Sequence, residues 1–402
     1  GEYRFFVGRN VRDYECALEY LQDGDELYRQ CAQASAPIQA FDVLAAEDKN
    51  GNRIQTSRTV RARDYDLAKR ITKSLPKAIE QTGDRGLKLS DVKSGKCTLE
   101  QFTAQLSNTE LEAISRGDYV MNSPLGVKGN AGTLGGVTES LREKGVSVLT
   151  TSDGPSGIRL RACCSLLPIG TLFACTFDTE LVEEVYSAVG AEMKGKGSDI
   201  LLAPGMNIHR NPLCGRNFEY YSEDPYLTGK IAAAAVRGIQ SHGGSACPKH
   251  FACNNQETRR NRNDSRLSER ALREIYLKGF EICVREAEPK NIMTSYNRIN
   301  SVYGHYNYEL CTEILRGEWR YKGNVITDWW MKNEKSPEFP KLRNQAYRVR
   351  AQVDVLMPGG GRIGLHRPDG TLLESLGEDG GITLGELQRT AMNVLTLAMK
   401  IN

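Results

Sequence analysis

No stretch of this chain reaches the roughly 18 consecutive apolar residues a membrane-crossing helix needs. The opening Gly1-Glu2-Tyr3-Arg4-Phe5-Phe6 lacks the layout of a secretory signal. These absences point to a soluble protein, placed here in the cytoplasm. The 11 cysteines are odd in number and scattered, with no CxxC pair and no Cys/His spacing of the zinc type. They read as reduced core thiols, and the vicinal pair Cys163-Cys164 as packing residues rather than a redox couple. Charge of one sign is also in short supply. With 53 Lys+Arg against 50 Asp+Glu, a net charge of +3 over 402 residues is too small to argue for nucleic acid or an anionic membrane as the main partner. Phosphate-binding fingerprints are missing too: no GxGxxG follows a first strand, and Gly126-Val127-Lys128-Gly129-Asn130-Ala131-Gly132 lacks the GK[ST] ending and reads as a tight loop. There is no fixed-period repeat and no low-complexity segment.

What the chain does contain is a long alternation of short apolar runs with amphipathic segments. Its length suits about two or three domains, or one barrel of about 250 residues with smaller attachments. Tyr3-Arg4-Phe5-Phe6-Val7-Gly8 reads as a strand with no hairpin partner before it, so the chain is expected to start inside a domain completed elsewhere. From about Asp42 to Cys97, with Arg58, Arg61, Arg63, Lys69, Arg70 and Lys73, a connector holding one or two helices is expected. Ser107-Asn108-Thr109-Glu110 then offers an N-cap with an acidic first turn. Beyond it, Val146–Thr150, Ile200–Ala203, Ala246–Cys247, Ile292–Thr294, Val325–Thr327 and Val353–Met357 read as buried strands. Thr179–Lys194, Tyr226–Ser241, Ser268–Glu286, Tyr308–Trp319 and Thr383–Lys400 read as helices. Such βα units predict an α/β fold with a parallel sheet, closed as a (β/α)8 TIM-like barrel. An open, doubly wound sheet is the runner-up.

Almost every predicted strand ends in polar residues that folding alone would not place there: Ser152-Asp153-Gly154-Pro155, Asn207-Ile208-His209-Arg210, Lys249-His250-Phe251, Ser295-Tyr296-Asn297 and Asp328-Trp329-Trp330. Singly, each has a bland reading, since Asp-Gly-Pro makes turns and Asp caps helices. Together, at the carboxyl ends of barrel strands, they would meet at one mouth. Donors, acceptors and aromatic faces in one pocket suit a neutral polyhydroxylated ligand, a sugar. Glycoside chemistry needs a carboxylate nucleophile and a second carboxyl acting as acid and then base, about 5 to 5.5 Å apart when configuration is retained, and no metal cofactor. Asp328, projecting from a rigid strand end, is the nucleophile candidate. Asp153 is either the second carboxyl or an acceptor of sugar hydroxyl protons.

These segments are similar to a known family. Ser152-Asp153-Gly154-Pro155 with Arg159, Gly215-Arg216-Asn217-Phe218-Glu219 running into Ser222-Glu223-Asp224-Pro225, Lys249-His250-Phe251, Ser295-Tyr296-Asn297 and Thr327-Asp328-Trp329 follow in the order found in glycoside hydrolase family 3, the β-glucosidase family. The resemblance covers roughly Ser107 to Asn402 and continues through Asp354-Val355-Leu356-Met357-Pro358-Gly359. It implies Asp328 as nucleophile and Asp153, Arg159, Arg216, Lys249, His250, Arg260 and Tyr296 as ligands of the nonreducing sugar, with Met293 and Trp329 lining the same subsite. In physical terms, Asp153 can accept two hydroxyl protons. Arg216 and Lys249 are expected to lower the pKa of Asp328. Lys249 and His250 can share a ligand only where their strand ends. Arg210 and Glu223 are expected to form ion pairs or to orient neighbours, and Arg259 to Arg266 to form a loop over the pocket.

Family members usually take the acid/base glutamate from an α/β sandwich domain that these 402 residues do not hold. Residues 1–25 resemble the last strand of a fibronectin-like domain, residues 26–105 read as the connector and 106–402 as the barrel. The resemblance therefore implies an inverted domain order, with the sandwich and its acid/base on a complementary fragment. Glu334 and Glu338 are the local substitutes. The expected activity is that of a retaining exo-acting β-glucosidase acting on β-glucosides or cello-oligosaccharides. A β-xylosidase and a non-catalytic sugar-binding barrel are the alternatives. A β-N-acetylglucosaminidase is disfavoured, because Ala252-Cys253-Asn254 follow Phe251. A phosphate-binding barrel would need Gly359-Gly360-Gly361 as its anion loop.

Overall fold

From residue 107 onward several of the helices begin where a side chain accepts a free backbone N–H. Ser107 caps Asn108–Arg116, and Glu110 reaches back to the Ser107 amide at 2.9 Å. Asp178 caps Thr179–Lys196, and Gly197 ends that helix in the left-handed conformation at φ 70°. Asp224 followed by Pro225 starts Pro225–Gln240, and a Thr383–Glu386 capping box starts Leu384–Lys400. Two expected helices differ in pitch. Glu309–Glu318 is a π-helix, and the segment after Ser268 runs as Glu269–Ala271, a π-helical turn Leu272–Tyr276 and Lys278–Ala287.

The computed structural model describes residues 1–10, 12–49, 52–360 and 366–401. Two compact units are present, Gly1–Gln33 and Ala34–Asn402. In the first, β1 (Glu2–Asn10) is not a lone strand: it pairs antiparallel with β2 (Asp13–Leu21), from Glu2 opposite Leu21 to Asn10 opposite Asp13. The partner follows β1 instead of preceding it. Its signal is the period-2 series Tyr14, Cys16, Leu18, Tyr20, masked by the helix-forming Glu and Ala between them.

The second unit opens with a feature the connector reading lacked, a hairpin of β3 (Phe41–Lys49) and β4 (Asn52–Val60). Two short helices follow within the connector span, Leu67–Lys73 and Leu89–Lys93, as expected, and a third, Leu99–Ala104, comes just beyond it. Then come β5 (Gly132–Gly135), β6 (Val148–Asp153), β7 (Ile200–Leu202) and β8 (Ser245–Ala246) in one sheet, in that order. Strands β6, β7 and β8 are parallel as predicted, whereas β5, which sequence patterning missed, runs antiparallel to β6. A small sheet joins β9 (Asp264–Ser265), β11 (Arg298–Ile299) and β12 (Val302–Tyr303), and a parallel sheet joins β10 (Asn291–Met293), β13 (Asn324–Trp329) and β14 (Val355–Met357).

Main-chain bonds connect the two larger sheets. Past β8, the Met293 amide donates to the Pro248 carbonyl at 3.0 Å and the Phe251 amide to the Met293 carbonyl at 2.8 Å. On the other side, Asp118 links Thr133 of β5 to Gly359 after β14. Successive strand residues serve opposite cores, as the pleat requires. Leu201, Ala246, Ile292 and Val325 pack with the helices Thr179–Lys196, Pro225–Gln240 and Lys278–Ala287. Ile200, Leu202, Cys247, Met293 and Ile326 belong to the other core, which also holds Trp329. Among the described residues, no helix is long and apolar enough to cross a membrane. Gly361, needed for the anion-loop reading, lies outside the described residues.

Candidate active site

The parallel strands deliver their polar ends to one cavity of about 370 Å³. Asp153 is the last residue of β6, Met293 the last of β10, and Asp328 and Trp329 close β13. Lys249 and His250 lie past the end of β8, where strand alternation no longer separates neighbouring side chains. All ten residues singled out from the sequence line this cavity: Asp153, Arg159, Arg216, Lys249, His250, Arg260, Met293, Tyr296, Asp328 and Trp329. Met121, Ala131, Leu202, Phe218, Glu219 and Trp330 complete the lining. Phe218, Glu219 and Trp330 stood inside the motifs already noted, whereas Met121, Ala131 and Leu202 carry no polar signature that could have marked them.

On one side of the cavity Asp153 is held between two cations. Lys249 Nζ donates to its Oδ1 at 2.9 Å and Arg159 to its Oδ2 at 3.1 Å. Burial works against its charge, but Lys249, Arg159 and Arg216 prevail and hold the carboxyl below its ordinary pKa. Lys249 itself is only 3% exposed, and the pair it makes with Asp153 is correspondingly shielded from solvent.

Asp328, on the other side, is treated differently. Its Oδ1 accepts from the Trp329 amide at 2.8 Å, while Oδ2 is buried with no hydrogen-bond partner. The nearest cation-forming group is His250, whose Nε2 stands 3.7 Å from that oxygen. This is no ion pair, because burial together with Arg216, Lys249 and Arg260 drives the imidazole well below its ordinary pKa and leaves it neutral. The expectation that the neighbouring cations lower the pKa of Asp328 is corrected here. Desolvation outweighs Arg216, Lys249 and Arg260, and the carboxyl rises to about 6. At neutral pH it is still largely ionised.

The flanking groups are fixed in turn. Trp329 Nε1 donates to the Ala131 carbonyl at 2.8 Å, and the Tyr296 hydroxyl donates to the Trp329 carbonyl. Arg260 stacks over the Tyr296 ring at 4.6 Å and pairs with Glu257 at 3.0 Å. Arg216 pairs with Glu219 at 2.5 Å. Several other nominated residues stay outside the cavity. Glu334 is tied to Arg298 and Glu338 to Arg63, both at 2.7 and 2.6 Å respectively, so neither local acid/base substitute reaches the site. Arg210 donates to the Tyr276 hydroxyl at 3.1 Å, an orienting contact of the kind expected. Glu223 is exposed and makes no ion pair among the described residues.

Residues 134–397 match the model of the glycosyl hydrolase family 3 N-terminal domain. The chain belongs to glycosyl hydrolase family 3. Among its family 3 relatives, a β-glucosidase of Ruminococcus albus is 43% identical over 99% of this chain and 41% of its own length. β-Glucosidase A of Butyrivibrio fibrisolvens is 39% identical over 82% of this chain and 41% of its own. The solved structure of a Paenibacillus barengoltzii β-glucosidase superimposes with a TM-score of 0.89 at 45% identity, covering 100% of this chain and 44% of that one. β-Glucosidase 3B of Thermotoga neapolitana, solved in complex with α-D-glucose, gives a TM-score of 0.68 at 36% identity over 76% of this chain and 43% of that one. The chain thus spans about two fifths of the length of the relatives it matches.

Proposed function

We propose that this chain supplies the sugar pocket and the nucleophile of a cytoplasmic, retaining, exo-acting β-glucosidase. The observation that carries the reading is the buried, unpartnered Oδ2 of Asp328 at the wall of a cavity rich in hydroxyl-binding groups. In the first step Asp328 Oδ2 bonds to the anomeric carbon as the bond to the leaving oxygen breaks, with inversion at that carbon. Water then displaces Asp328 with a second inversion, so configuration is retained. Asp153, Lys249, Arg159, Arg216, Arg260, His250 and Tyr296 hold the sugar hydroxyls, while Met293 and Trp329 pack its C–H faces.

The leaving oxygen must receive a proton. A catalytic acid needs a raised pKa, and Asp153 is lowered by its cations while Glu219 is committed to Arg216. This supports an acid/base glutamate on a complementary segment; in the same reading residues 1–25 belong to a fibronectin-like domain and the βα units close as a TIM-like barrel. The eleven cysteines, all free thiols, fit a reducing compartment. The test is to trap the chain, with that segment present, using an activated 2-fluoro-β-glucoside and to map the labelled peptide. Label on Asp328 is expected; label elsewhere removes the nucleophile. Faster trapping by the 2-fluoro-xyloside would select the β-xylosidase reading, and tight glucose binding without trapping the non-catalytic one.

A further inference from the structure

Behind His250 lies a chain of hydrogen bonds, buried as far as Asn254, that ends on a partly buried carboxylate. Asn254 Nδ2 donates to Glu257 Oε1 at 3.0 Å and to the Tyr220 hydroxyl at 3.0 Å. The Tyr220 hydroxyl stands 3.2 Å from His250 Nδ1. Tyr220 and His250 are 0% and 1% exposed, and Asn254 is 1% exposed, so water does not substitute for a partner among these three.

The direction of every proton in this chain follows from its far end. An ionised carboxylate only accepts, so Glu257, itself paired with Arg260 at 3.0 Å, selects the NH2 side of Asn254. That amide then fills an acceptor site on the Tyr220 hydroxyl, whose own proton has one acceptor in reach among the described residues, His250 Nδ1. The imidazole is neutral, so a lone pair on Nδ1 places the ring proton on Nε2. The opposite tautomer would strand the buried Tyr220 proton and turn the Nε2 lone pair toward Asp328 Oδ2, 3.7 Å away.

We propose that Tyr220 is a positioning residue: through Glu257, Asn254 and Tyr220 the fold holds His250 as the Nε2–H tautomer, so that an N–H donor faces Asp328 and the sugar hydroxyl bound beside it. The inference deepens the β-glucosidase reading and rests on it for its purpose, but the tautomer itself is measurable without any substrate. It also gives Arg260 a second link to the site, since its partner Glu257 is the anchor of the chain.

The test uses the full chain labelled with 15N-histidine. Long-range proton–nitrogen correlation, with the His250 signals assigned by their loss in His250→Asn, is expected to show a protonated Nε2 and an acceptor Nδ1. Converting Asn254→Asp together with Glu257→Gln reverses the donors along the chain and is expected to move the proton to Nδ1. Tyr220→Phe is expected to mix the tautomers and to weaken β-D-glucose binding by about tenfold. A wild-type Nδ1–H signal overturns the proposal, as does a Tyr220→Phe variant with unchanged tautomer and glucose affinity. An Nε2–H that reverses in the double variant establishes the relay even if glucose fails to bind, and that failure would count against the β-glucosidase reading alone.

Discussion

Asp153 and Asp328 both terminate parallel strands and face the same cavity, yet the protein treats their charges in opposite ways. Asp153 accepts hydrogen bonds from Lys249, Arg159 and the Gly154 amide, and the cations around it lower its pKa. Asp328 receives one backbone amide, keeps an oxygen without a partner and has its pKa raised to about 6. A carboxylate held by several donors and by cations is a weaker nucleophile, and its remaining lone pair can still accept from a sugar hydroxyl. One left desolvated and incompletely bonded is reactive. The division of labour is set by neighbours, not by residue type.

The sharpest way to break this contrast is to remove each carboxylate in turn. Asp328→Asn is expected to lower turnover of an aryl β-glucoside, assayed with the complementary segment present, by at least about a thousandfold. Asp153→Asn should instead weaken glucose binding by about thirtyfold, the worth of a charge-assisted bond, as read by titration calorimetry. Equal losses in both assays for both variants would erase the distinction.

Stability sharpens the contrast further, because the two shifts have opposite sign. With a folded pKa of about 6 against an ordinary 3.8, Asp328 favours the fold below pH 3.8 and loses that contribution as pH rises through 6. Asp328→Asn is therefore expected to raise the melting temperature relative to the wild-type chain at pH 7 and to lose this advantage near pH 4. For Asp153 the folded pKa is lowered, so its contribution is present above its ordinary pKa and disappears as pH falls through the folded value. Asp153→Asn should lower the melting temperature at pH 7, with the deficit shrinking in acid. The same titration of Asp328 predicts an acidic limb in kcat/KM with an apparent pKa near 6. The smallest effects belong to Glu334→Gln and Glu338→Gln. Each breaks an ion pair outside the cavity and should change turnover less than about twofold, and a large loss in either would reopen the search for the acid/base.

Much of the site was legible because strand-ending polar clusters have no packing reason to exist. The segments ending at Asp153 and Asp328 and the pair Lys249-His250 declared themselves by position alone. Helices with strong caps, such as Pro225–Gln240 behind Asp224, were equally plain. The hairpins were not. The β3–β4 segment is polar and its outward face buries little, so no hydrophobic period marks it. Strand β5 was hidden by having two glycines among four residues, Gly132-Thr133-Leu134-Gly135. At Glu309–Glu318 the apolar period announced a helix but not its wider pitch. The sign of the Asp328 shift was out of reach for a different reason: charges can be counted along a sequence, whereas desolvation exists only once the surrounding atoms are in place.

The bond from the Trp329 indole to the Ala131 carbonyl spans 198 positions along the chain and joins the residue beside Asp328 to the threshold of β5. It makes the loop before β5 part of the machinery, although none of that loop's side chains reacts. Anyone grafting a new loop between Asp118 and Gly132 to accept a bulkier leaving group inherits one design rule. The carbonyl at position 131 must return to the same point, or the tryptophan will swing and carry the neighbouring carboxylate out of line with its target.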